Sequence, residues 1–445
     1  MKKLLVANRG EIAVRVIRAA RELGIQTVAV CSEADVDALH TRTADQFEVI
    51  GPAAAGKSYL VIENVIAAAR KTGADAVHPG YGFLSERAEF ARQLHQAGIT
   101  FVGPSPEAIT QMGDKAQAIR AAIAAGVPTI PGSDGPVEDV ETAVAVAQRT
   151  GYPVAVKASA GGGGRGIRIA EDESQLREVL PIAQAEALAA FGSDEVYIER
   201  MVQGAKHIEV QVFGDGVNFV HLGERECSVQ RRRQKLIEET PAPKLPAAVR
   251  ESLCSSAVDL ARAVAYEGAG TVEFLYEPAT GRYFFIEMNT RIQVEHPITE
   301  CVTGIDLVAE QLRVASGEQL SFGQQDVVSR GHCIEIRLNA ENPEMNFFPS
   351  PGTLTEFTMP AGPFVRIDSG FTAGSTVSPY YDSLLAKIIV WGRTRDEAIA
   401  RTRRALAEVR VEGVVTTADY LEGILATPEF ESGDYDTTFL ERRSA

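Results

Sequence analysis

Short apolar runs alternate with amphipathic segments of helical length over the first hundred residues. The apolar runs are KLLVAN, IQTVAVC, QFEVIG, ADAVHPG and ITFVGP, each of strand length. After the first run, Ile12, Val16, Ala19, Ala20 and Leu23 recur at helical spacing and mark one apolar helix face. Strands that alternate with helices predict a parallel sheet covered by helices on both faces. We therefore expect a Rossmann-like region at the N-terminus.

Three more regions follow along the chain. A turn-rich boundary, GVPTIPGSDGP (126–136), precedes a small unit that extends to about residue 205 and contains YPVAVKASAGGGGRGIRIA. From about 206 to 300, the runs HIEVQVFGD, NFVHLGE, AGTVEFLYE and RYFFIEMN favour a mostly antiparallel sheet. Beyond about 330, we expect GHCIEIRLNAE, GTLTEFTMP, FVRIDSG and LAKIIVWG to be strands and TRDEAIARTRRALAEV a helix. The pattern predicts an α/β protein that is α+β in places.

The stretch EMNTRIQVEHPITE (287–300) places five polar residues at every second position. They are Glu287, Asn289, Arg291, Gln293 and Glu295. Side chains two residues apart share a face of extended backbone, so we expect these five to form one polar row. A solvated strand face explains most alternating stretches, but the preceding run YFFI is apolar on both faces and Asn is depleted in strands. This row therefore indicates an active site.

Composition and charge narrow the class of protein. With 445 residues, of which 45% are hydrophobic and 23% charged, the chain is long enough for two or three globular domains. The net charge of −16 disfavours nucleic acid and anionic membrane as partners. No apolar run approaches the roughly 20 residues of a membrane span, and LLVA is too short for a signal peptide. The five scattered cysteines form no CxxC pair, which is typical of a reducing compartment. We expect a cytoplasmic enzyme.

One nucleotide-binding motif is interpreted as a coincidence. GPAAAGKS (51–58) matches the P-loop pattern GxxxxGK[ST], in which Lys57 would hold phosphates and Ser58 a magnesium ion. However, Pro52 removes a backbone donor from the loop, and the next strand ends in His78 instead of an aspartate. We expect an ordinary connection between a strand and a helix.

A second phosphate-binding signal is stronger because carboxylates accompany it. Lys157 ends a strand, and Gly161 to Gly166 form a turn that is able to close over phosphates as a lid. Downstream, Glu273 and Glu287 fall on consecutive strands joined by EPATGR, so a hairpin brings them near each other. Two carboxylates and the Asn289 amide are oxygen ligands that suit Mg²⁺, whose charge offsets the repulsion between the carboxylates.

Several motifs together resemble one known family. KASAGGGGRG, VYIERMV, HIEVQVFGDG, ECSVQRRRQKLIEETPAP and EMNTRIQVEHPITE are similar to biotin carboxylase, an ATP-grasp enzyme, and NRGEIAVRVIRAA and HPGYGFLSE resemble its N-terminal domain. The resemblance implies a pre-ATP-grasp domain over 1–113, an ATP-grasp domain over 114–330 with a lid at about 131–204, and a β-rich α+β domain over 331–445. It runs from about residue 2 through the C-terminal strands.

The resemblance implies ATP-dependent carboxylation of biotin by bicarbonate through carboxyphosphate. It assigns the nucleotide to Lys115, Lys157, Gly163, Gly164, Glu199, Arg200, Val202, His207, Gln230 and Arg233. It assigns Mg²⁺ or Mn²⁺ to Glu273, Glu287 and Asn289. Position 233 departs from the family, because many members have histidine or asparagine where this chain has arginine.

The same resemblance assigns the chemistry of bicarbonate and biotin. Arg291 would fork onto bicarbonate, and Lys235, Gln293 and the Val294 N–H would complete that pocket. Glu295 would be the general base, kept ionised by the cations that face it. Arg337 would stabilise the oxyanion that develops on the biotin ureido group.

The expected partners follow from two features that the sequence does not contain. The sequence has no MKM-like biotin attachment hairpin and no carboxyltransferase region, so we expect biotin to arrive on a separate biotin carboxyl carrier protein. We expect carboxyltransferase subunits, those of an acetyl-CoA carboxylase for fatty acid synthesis, to use the product. The family is commonly homodimeric. Propionyl-CoA, pyruvate and urea carboxylases use the same module, and the sequence does not choose among them.

Three alternatives remain at this point. One is another ATP-grasp ligase that activates a different carboxylate, although Lys235, Arg291 and Glu295 fit a small bicarbonate ion. The second is a P-loop NTPase acting through Lys57. The third is a silent regulatory paralogue, against which the intact metal, lysine and base positions argue.

Overall fold

The computed structural model describes residues 1–133, 135–158 and 167–444. The chain divides into two compact units. The larger unit comprises residues 1–127, 206–274 and 287–445, and the smaller comprises 128–205 and 275–286. Within the described residues, no helix combines the length and the apolar character needed to cross a membrane.

The N-terminal part of the larger unit contains the predicted parallel sheet. Its elements are β1 Lys3–Val6, α1 Gly10–Glu22, β2 Gln26–Cys31, α2 Leu39–Thr43, β3 Gln46–Val49, α3 Ile62–Thr72, β4 Ala76–His78, α4 Ala88–Gln96, β5 Thr100–Phe101, α5 Pro106–Gly113 and α6 Lys115–Ala124. The strand order is β3-β2-β1-β4-β5, and all pairs are parallel. Leu4, Leu5 and Val6 are all buried because helices cover both faces, which confirms the prediction.

The smaller unit is a three-stranded antiparallel sheet packed on two helices. Its elements are α7 Val140–Thr150, β6 Val154–Ala158, β7 Ile167–Ala170, α8 Glu173–Phe191 and β8 Val196–Arg200. The strand order is β7-β6-β8. Val154, Val156, Val196 and Ile198 are fully buried in its core, so the sheet forms one side of an apolar layer.

The central strands form part of one eight-stranded sheet, which strands of the C-terminal part complete. The central elements are β9 Lys206–Asp215, β10 Phe219–Arg231, β11 Gln234–Thr240, α9 Ala247–Ala263, β12 Glu267–Glu277, β13 Arg282–Asn289, α10 His296–Thr303 and α11 Leu307–Ala315. The antiparallel pairing of β9, β10 and β11 agrees with the pattern predicted for this region.

The C-terminal part continues that sheet and adds helices. Its elements are β14 His332–Asn339, β15 Glu341–Asn342, β16 Phe348–Pro349, β17 Gly352–Thr353, β18 Glu356–Thr358, β19 Val365–Ser369, β20 Thr376–Val377, β21 Leu384–Gly392, α12 Arg395–Glu408, β22 Arg410–Glu412, α13 Ala418–Leu425, α14 Pro428–Ser432 and α15 Phe439–Ser444. The strand order of the shared sheet is β13-β12-β9-β10-β11-β14-β21-β19. Because β14 pairs with β11, Glu335 lies directly opposite Glu238, and charged residues of both regions share one face.

Candidate active site

The polar stretch that starts at Glu287 does not remain extended. Strand β13 ends at Asn289, residues 290–295 form bends and turns, and helix α10 begins at His296. The prediction of one polar row on a strand is therefore wrong beyond Asn289. Pro297 in the first turn of α10 explains the change, because proline is favoured there and disfavoured inside a strand. The turn nevertheless brings the predicted polar side chains together.

Glu273, on β12, is the centre of this convergence. Its Oε1 accepts hydrogen bonds from Asn289 Nδ2 at 2.8 Å, from Gln293 Nε2 at 2.9 Å and from Lys235 Nζ at 3.2 Å. Its Oε2 lies 2.8 Å from Nε2 of His207. Burial opposes ionisation, but the charges of Lys235 and His207 overcome it and lower the pKa of Glu273. The carboxylate is therefore ionised and fixed from several sides.

Lys235, on β11, connects three carboxylates. Its Nζ lies 2.5 Å from Glu209 Oε2, 2.6 Å from Glu295 Oε1 and 3.2 Å from Glu273 Oε1. Burial disfavours the ammonium, but these three carboxylates raise the pKa of Lys235 well above its usual value. The predicted bicarbonate-binding lysine is therefore a permanent cation.

Glu295 is held in the ionised form expected of a general base at neutral pH. Lys235 contacts its Oε1, and Arg337 donates a hydrogen bond to its Oε2 at 3.0 Å. Burial opposes ionisation, yet the charges of Lys235, Arg337 and Arg225 lower the pKa of Glu295 well below its usual value. The sequence prediction that facing cations keep this base ionised agrees with these contacts.

Arg225 is a site residue that was not predicted from the sequence. Its guanidinium is fully buried and donates to Glu209 at 2.6 Å, to Gln211 at 2.7 Å and to Gln293 at 2.6 Å. Two threonine hydroxyls, of Thr271 and Thr299, accept its remaining hydrogen bonds. Its sequence signal was a single arginine directly before ECSVQ in β10, which alternation alone does not distinguish from a solvated position.

Arg337 has a second carboxylate partner, Glu238, which was also not predicted from the sequence. Its Nε donates to Glu238 Oε1 at 2.6 Å, while its Nη2 reaches Glu295. Burial raises the pKa of Glu238 to about 7, and the charge of Arg337 only partly offsets that rise. The predicted oxyanion-stabilising guanidinium is thus oriented by two carboxylates, one of which titrates near neutral pH.

Arg291 lies at the more open side of the site. Its Nη2 donates to Asn289 Oδ1 at 2.7 Å, and its Nε lies 3.2 Å from Glu86 Oε2. The Arg291 side chain is 20% exposed and that of Glu86 is 44% exposed, so solvent and small anions have access to this guanidinium. This access is what an anion-binding arginine requires.

The carboxylates fit a divalent cation. Oxygen or nitrogen atoms of His207, Glu209 and Glu273 lie within 4.8 Å of one another, and all three residues are buried. Glu287 keeps solvent access, but partial burial and the nearby charge of Glu273 raise its pKa. A bound cation would offset the repulsion between the two carboxylates. The donor set of Glu273, Glu287 and Asn289 is oxygen-only, as Mg²⁺ prefers.

Two of the predicted nucleotide-binding residues in the smaller unit are joined by a hydrogen bond. Lys157 on β6 pairs with Tyr197 of β8, and its ammonium donates a hydrogen bond to Glu199 on the same face. Arg200 donates to Glu277 at 3.2 Å and lies over the ring of Phe284. Val202 follows β8 and is half-buried. Gly163 and Gly164 lie outside the described residues.

The remaining predicted nucleotide residues lie in the larger unit. Lys115 is exposed at the start of α6, and His207 is buried beside Glu273. Gln230 pairs with Lys235 across the hairpin of β10 and β11. Arg232 and Arg233 form its tip, where both adopt positive φ angles of 49° and 67°, as a two-residue type I′ turn requires. Arg233 is exposed there.

The P-loop match forms a structural turn. Residues Ala55–Lys57 are a 3-10 turn, and α3 begins only at Ile62. The buried Ser58 hydroxyl donates to the Ala54 carbonyl at 3.0 Å. A Cβ atom at Gly51 would lie 2.3 Å from the Lys57 carbonyl oxygen, so this glycine is needed for close chain packing. We infer that the motif serves the local fold.

Three family models match consecutive parts of the chain. "Biotin carboxylase, N-terminal domain" matches residues 1–109, "Carbamoyl-phosphate synthase L chain, ATP binding domain" matches 114–322, and "Biotin carboxylase C-terminal domain" matches 335–442. Fold and matches together define an enzyme of the ATP-grasp class.

Whole-chain relatives narrow the class further. The chain is 54% identical to biotin carboxylase 1 of Bacillus subtilis over 99% of this chain and 98% of the relative. It is 52% identical to the biotin carboxylase of Pseudomonas aeruginosa over 100% of this chain and 98% of the relative. The chain belongs to the biotin carboxylase family, which confirms the resemblance and the predicted fold and enzyme class.

Solved structures agree in fold and indicate what relatives bind. The biotin carboxylase of Campylobacter jejuni, in complex with β,γ-ATP, is 46% identical, with a TM-score of 0.92 and coverage of 99% of this chain and 98% of that chain. The biotin carboxylase domain dimer of Hydrogenobacter thermophilus 2-oxoglutarate carboxylase, in complex with MgADP, ADP and bicarbonate, is 47% identical, with a TM-score of 0.91 and coverage of 100% and 98%.

Proposed function

We propose that this chain carboxylates biotin on a separate carrier protein, using bicarbonate and ATP. The observation that carries the proposal is the buried, ionised Glu295 carboxylate held by Lys235 and Arg337, with Lys235 also in contact with Glu273. A carboxylate that is ionised at neutral pH is available to accept the bicarbonate proton. Family membership and the ligands of the solved relatives support the same assignment.

The first step activates bicarbonate. Arg291 binds the planar anion through its guanidinium fork, and Lys235, Gln293 and the Val294 N–H complete the pocket. Glu295 takes the bicarbonate proton onto a carboxylate oxygen. The freed oxygen then forms a bond to the γ-phosphorus of ATP as the bond to the ADP oxygen breaks, which yields carboxyphosphate. Positioning and electrostatic stabilisation together supply most of the catalysis in such a transfer.

Mg²⁺ or Mn²⁺ would be held by Glu273 and Glu287, with Asn289 assisting. When bound, the metal supplies positive charge that neutralises the phosphates of ATP. For Glu273 to bind it, at least one of the donors that now occupy its oxygens, such as Lys235 or His207, would have to yield. The raised pKa of Glu287 provides a second reason why this pair favours a cation.

We propose Lys157 as one of the residues that bind the nucleotide. In the smaller unit, the Lys157 ammonium would leave Glu199 and bind phosphate oxygens instead. The Glu199 carboxylate would then be able to accept a hydrogen bond from ATP. The other proposed contacts are Lys115, Gly163, Gly164, Arg200, Val202, His207, Gln230 and Arg233.

The second step transfers the carboxyl group. Carboxyphosphate breaks into CO₂ and phosphate, the phosphate takes the proton from the biotin ureido nitrogen, and that nitrogen bonds to CO₂. Negative charge develops on the ureido oxygen, which the Arg337 guanidinium stabilises. Its two carboxylate partners, Glu238 and Glu295, hold it in place for this role.

Partners and compartment follow the same assignment. We propose a biotin carboxyl carrier protein and carboxyltransferase subunits as partners, a homodimer like that of the Hydrogenobacter relative, and a cytoplasmic location. We also propose functional boundaries at 1–113, 114–330 and 331–445, with a lid at about 131–204. Acetyl-CoA is the proposed final acceptor, and the similarity to a 2-oxoglutarate carboxylase domain makes another acceptor the alternative.

ADP release with Mg-ATP tests the proposal when bicarbonate and free biotin are added separately and together. The expected result is turnover that needs bicarbonate and rises when biotin is present. Turnover that ignores bicarbonate but responds to another carboxylate would overturn the substrate assignment.

A further inference from the structure

The turn between β13 and α10 is held from behind by two buried side chains. Nδ1 of His296 lies 2.7 Å from the Gln293 carbonyl oxygen, and Nζ of Lys387 donates to the Val294 carbonyl oxygen at 2.8 Å. Both side chains are fully buried. Neither has a part in the chemistry proposed above, so each needs another explanation.

The contact identifies the tautomer of His296. A carbonyl oxygen only accepts hydrogen bonds, so Nδ1 must carry the hydrogen atom. Burial and the positive charge of Lys387 lower the pKa of His296 well below its usual value, which keeps the ring neutral. Nε2 is therefore unprotonated, and it lies 3.9 Å from Glu300 Oε2, beyond hydrogen-bond distance. The imidazole acts as a fixed donor to one carbonyl group.

That carbonyl belongs to the peptide group that also contains the Val294 N–H. A trans peptide is planar, and its C=O and N–H point in opposite directions. Fixing the Gln293 carbonyl therefore fixes the direction of the Val294 N–H. The His296 backbone N–H also approaches the same oxygen, at 3.4 Å. Lys387 holds the next peptide group, which leads directly into Glu295.

We propose that His296 is a positioning residue for the bicarbonate step: it aims the Val294 N–H at the anion, while Lys387 fixes the following peptide and the base Glu295. The inference rests on the proposed function, because it takes bicarbonate as the ligand of that N–H. A donor aimed in advance contributes to anion binding without reorganisation during the reaction.

Lys387 is less suitable for testing than His296. Its ammonium lies 3.0 Å from Glu11 Oε1 and 4.0 Å from Asp368 Oδ2. Removal of this cation would leave the buried Glu11 carboxylate without its ion-pair partner, and the protein would lose stability for reasons unrelated to the turn. His296 is neutral, so its substitution does not leave a buried carboxylate without an ion-pair partner.

Two substitutions at His296 separate the hydrogen bond from the volume of the ring. His296→Phe keeps a ring and removes the donor, whereas His296→Asn places an amide N–H near the position of Nδ1. We expect His296→Phe to lower kcat/KM for bicarbonate by about ten- to a hundredfold, since small misplacements have effects of this order. The KM for ATP should stay unchanged, and His296→Asn should recover most of the loss.

His40 provides a matched control. It is also fully buried, and its Nε2 lies 3.2 Å from the Val30 carbonyl oxygen in the N-terminal sheet. Burial lowers the pKa of His40 to about 4, so this ring too is neutral. His40→Phe should lower thermal stability as His296→Phe does, but it should leave the KM for bicarbonate unchanged.

The measurements are steady-state kinetics and thermal unfolding of the full-length wild type and the three variants. A bicarbonate effect confined to His296→Phe and rescued by His296→Asn supports the inference. It is overturned if His296→Phe matches the wild type, if it weakens ATP and bicarbonate equally, or if His40→Phe gives the same kinetic loss. If the wild type itself shows no dependence on bicarbonate, the proposed function fails first, and the inference fails with it.

Discussion

Nζ of Lys235 lies 2.6 Å from Oε1 of Glu295, and the same ammonium also contacts Glu209 and Glu273. One cation therefore links the proposed base, the proposed metal ligand and the carboxylate that anchors Arg225. In the buried interior, each of these charges depends on the others for its ionisation. The predictions below follow from this shared network.

Glu295→Gln should remove the base and lower bicarbonate-dependent ADP release by about 10² to 10⁴-fold, the usual contribution of a positioned base. The pKa of Glu295 is lowered below its usual 4.5, so the carboxylate stays ionised above that pH and loses its charge only as the pH falls through the lowered value. The wild-type rate should therefore show no acid limb from Glu295 between pH 5 and 9. Pre-steady-state ADP formation across this range checks both statements, and near-normal turnover of the variant would contradict them.

Lys157→Ala should lower ATP turnover by roughly a hundredfold, because it removes a cationic donor from the phosphates. Lys57→Ala is the control, since Lys57 is exposed in the 3-10 turn of the P-loop match. Its turnover should equal that of the wild type. The opposite pattern, with Lys57 essential and Lys157 dispensable, would mean that the nucleotide site has been assigned to the wrong lysine.

Arg225→Met should destabilise the protein by about 3–5 kcal/mol, because it leaves the buried Glu209 carboxylate without its guanidinium partner. Arg225→Lys keeps the charge but cannot reproduce five directed hydrogen bonds, so we expect an intermediate loss. Urea unfolding measures the difference. The assignment of Arg225 as a structural anchor would be wrong if both variants unfolded at the wild-type urea concentration.

Glu239 should make stability depend on acid pH. Burial opposes its ionisation, but hydrogen bonds from His332 and Arg395 lower its pKa to about 2. A lowered pKa means that this stabilisation is complete above the unfolded value of 4.5 and disappears as the pH falls toward 2. Glu239→Gln should therefore cost about 3 kcal/mol at pH 7 and much less near pH 2.5. Unfolding free energies at both pH values test this, and an equal cost at both would contradict it.

Much of the fold was predictable because its signals are local. The inner strands β1, β2 and β4 are apolar on both faces, and a parallel sheet between helices is the arrangement that buries them. The prediction that the strand continues after Asn289 was wrong because it relied on the alternation of polar and apolar residues. Pro297, which favours the first turn of a helix, was a contrary signal in the same stretch.

The candidate site was predictable in part. Polar residues of one motif, such as Asn289 and Glu295, could be grouped from the sequence alone. Arg225 and Glu238 could not, because their roles depend on the register of β10, β11 and β14, and β10 contains irregularities between Glu226 and Gln230. An irregular register changes which face a side chain occupies, and no local pattern records it.

Transfer of ¹⁸O from labelled bicarbonate to phosphate tests the central claim most directly. If bicarbonate attacks the γ-phosphorus, one of its oxygens remains with the phosphate when carboxyphosphate breaks into CO₂ and phosphate. The account therefore predicts one ¹⁸O atom in each phosphate formed in the presence of biotin. Phosphate that carries no label would show that water had attacked instead, and would contradict the proposed reaction.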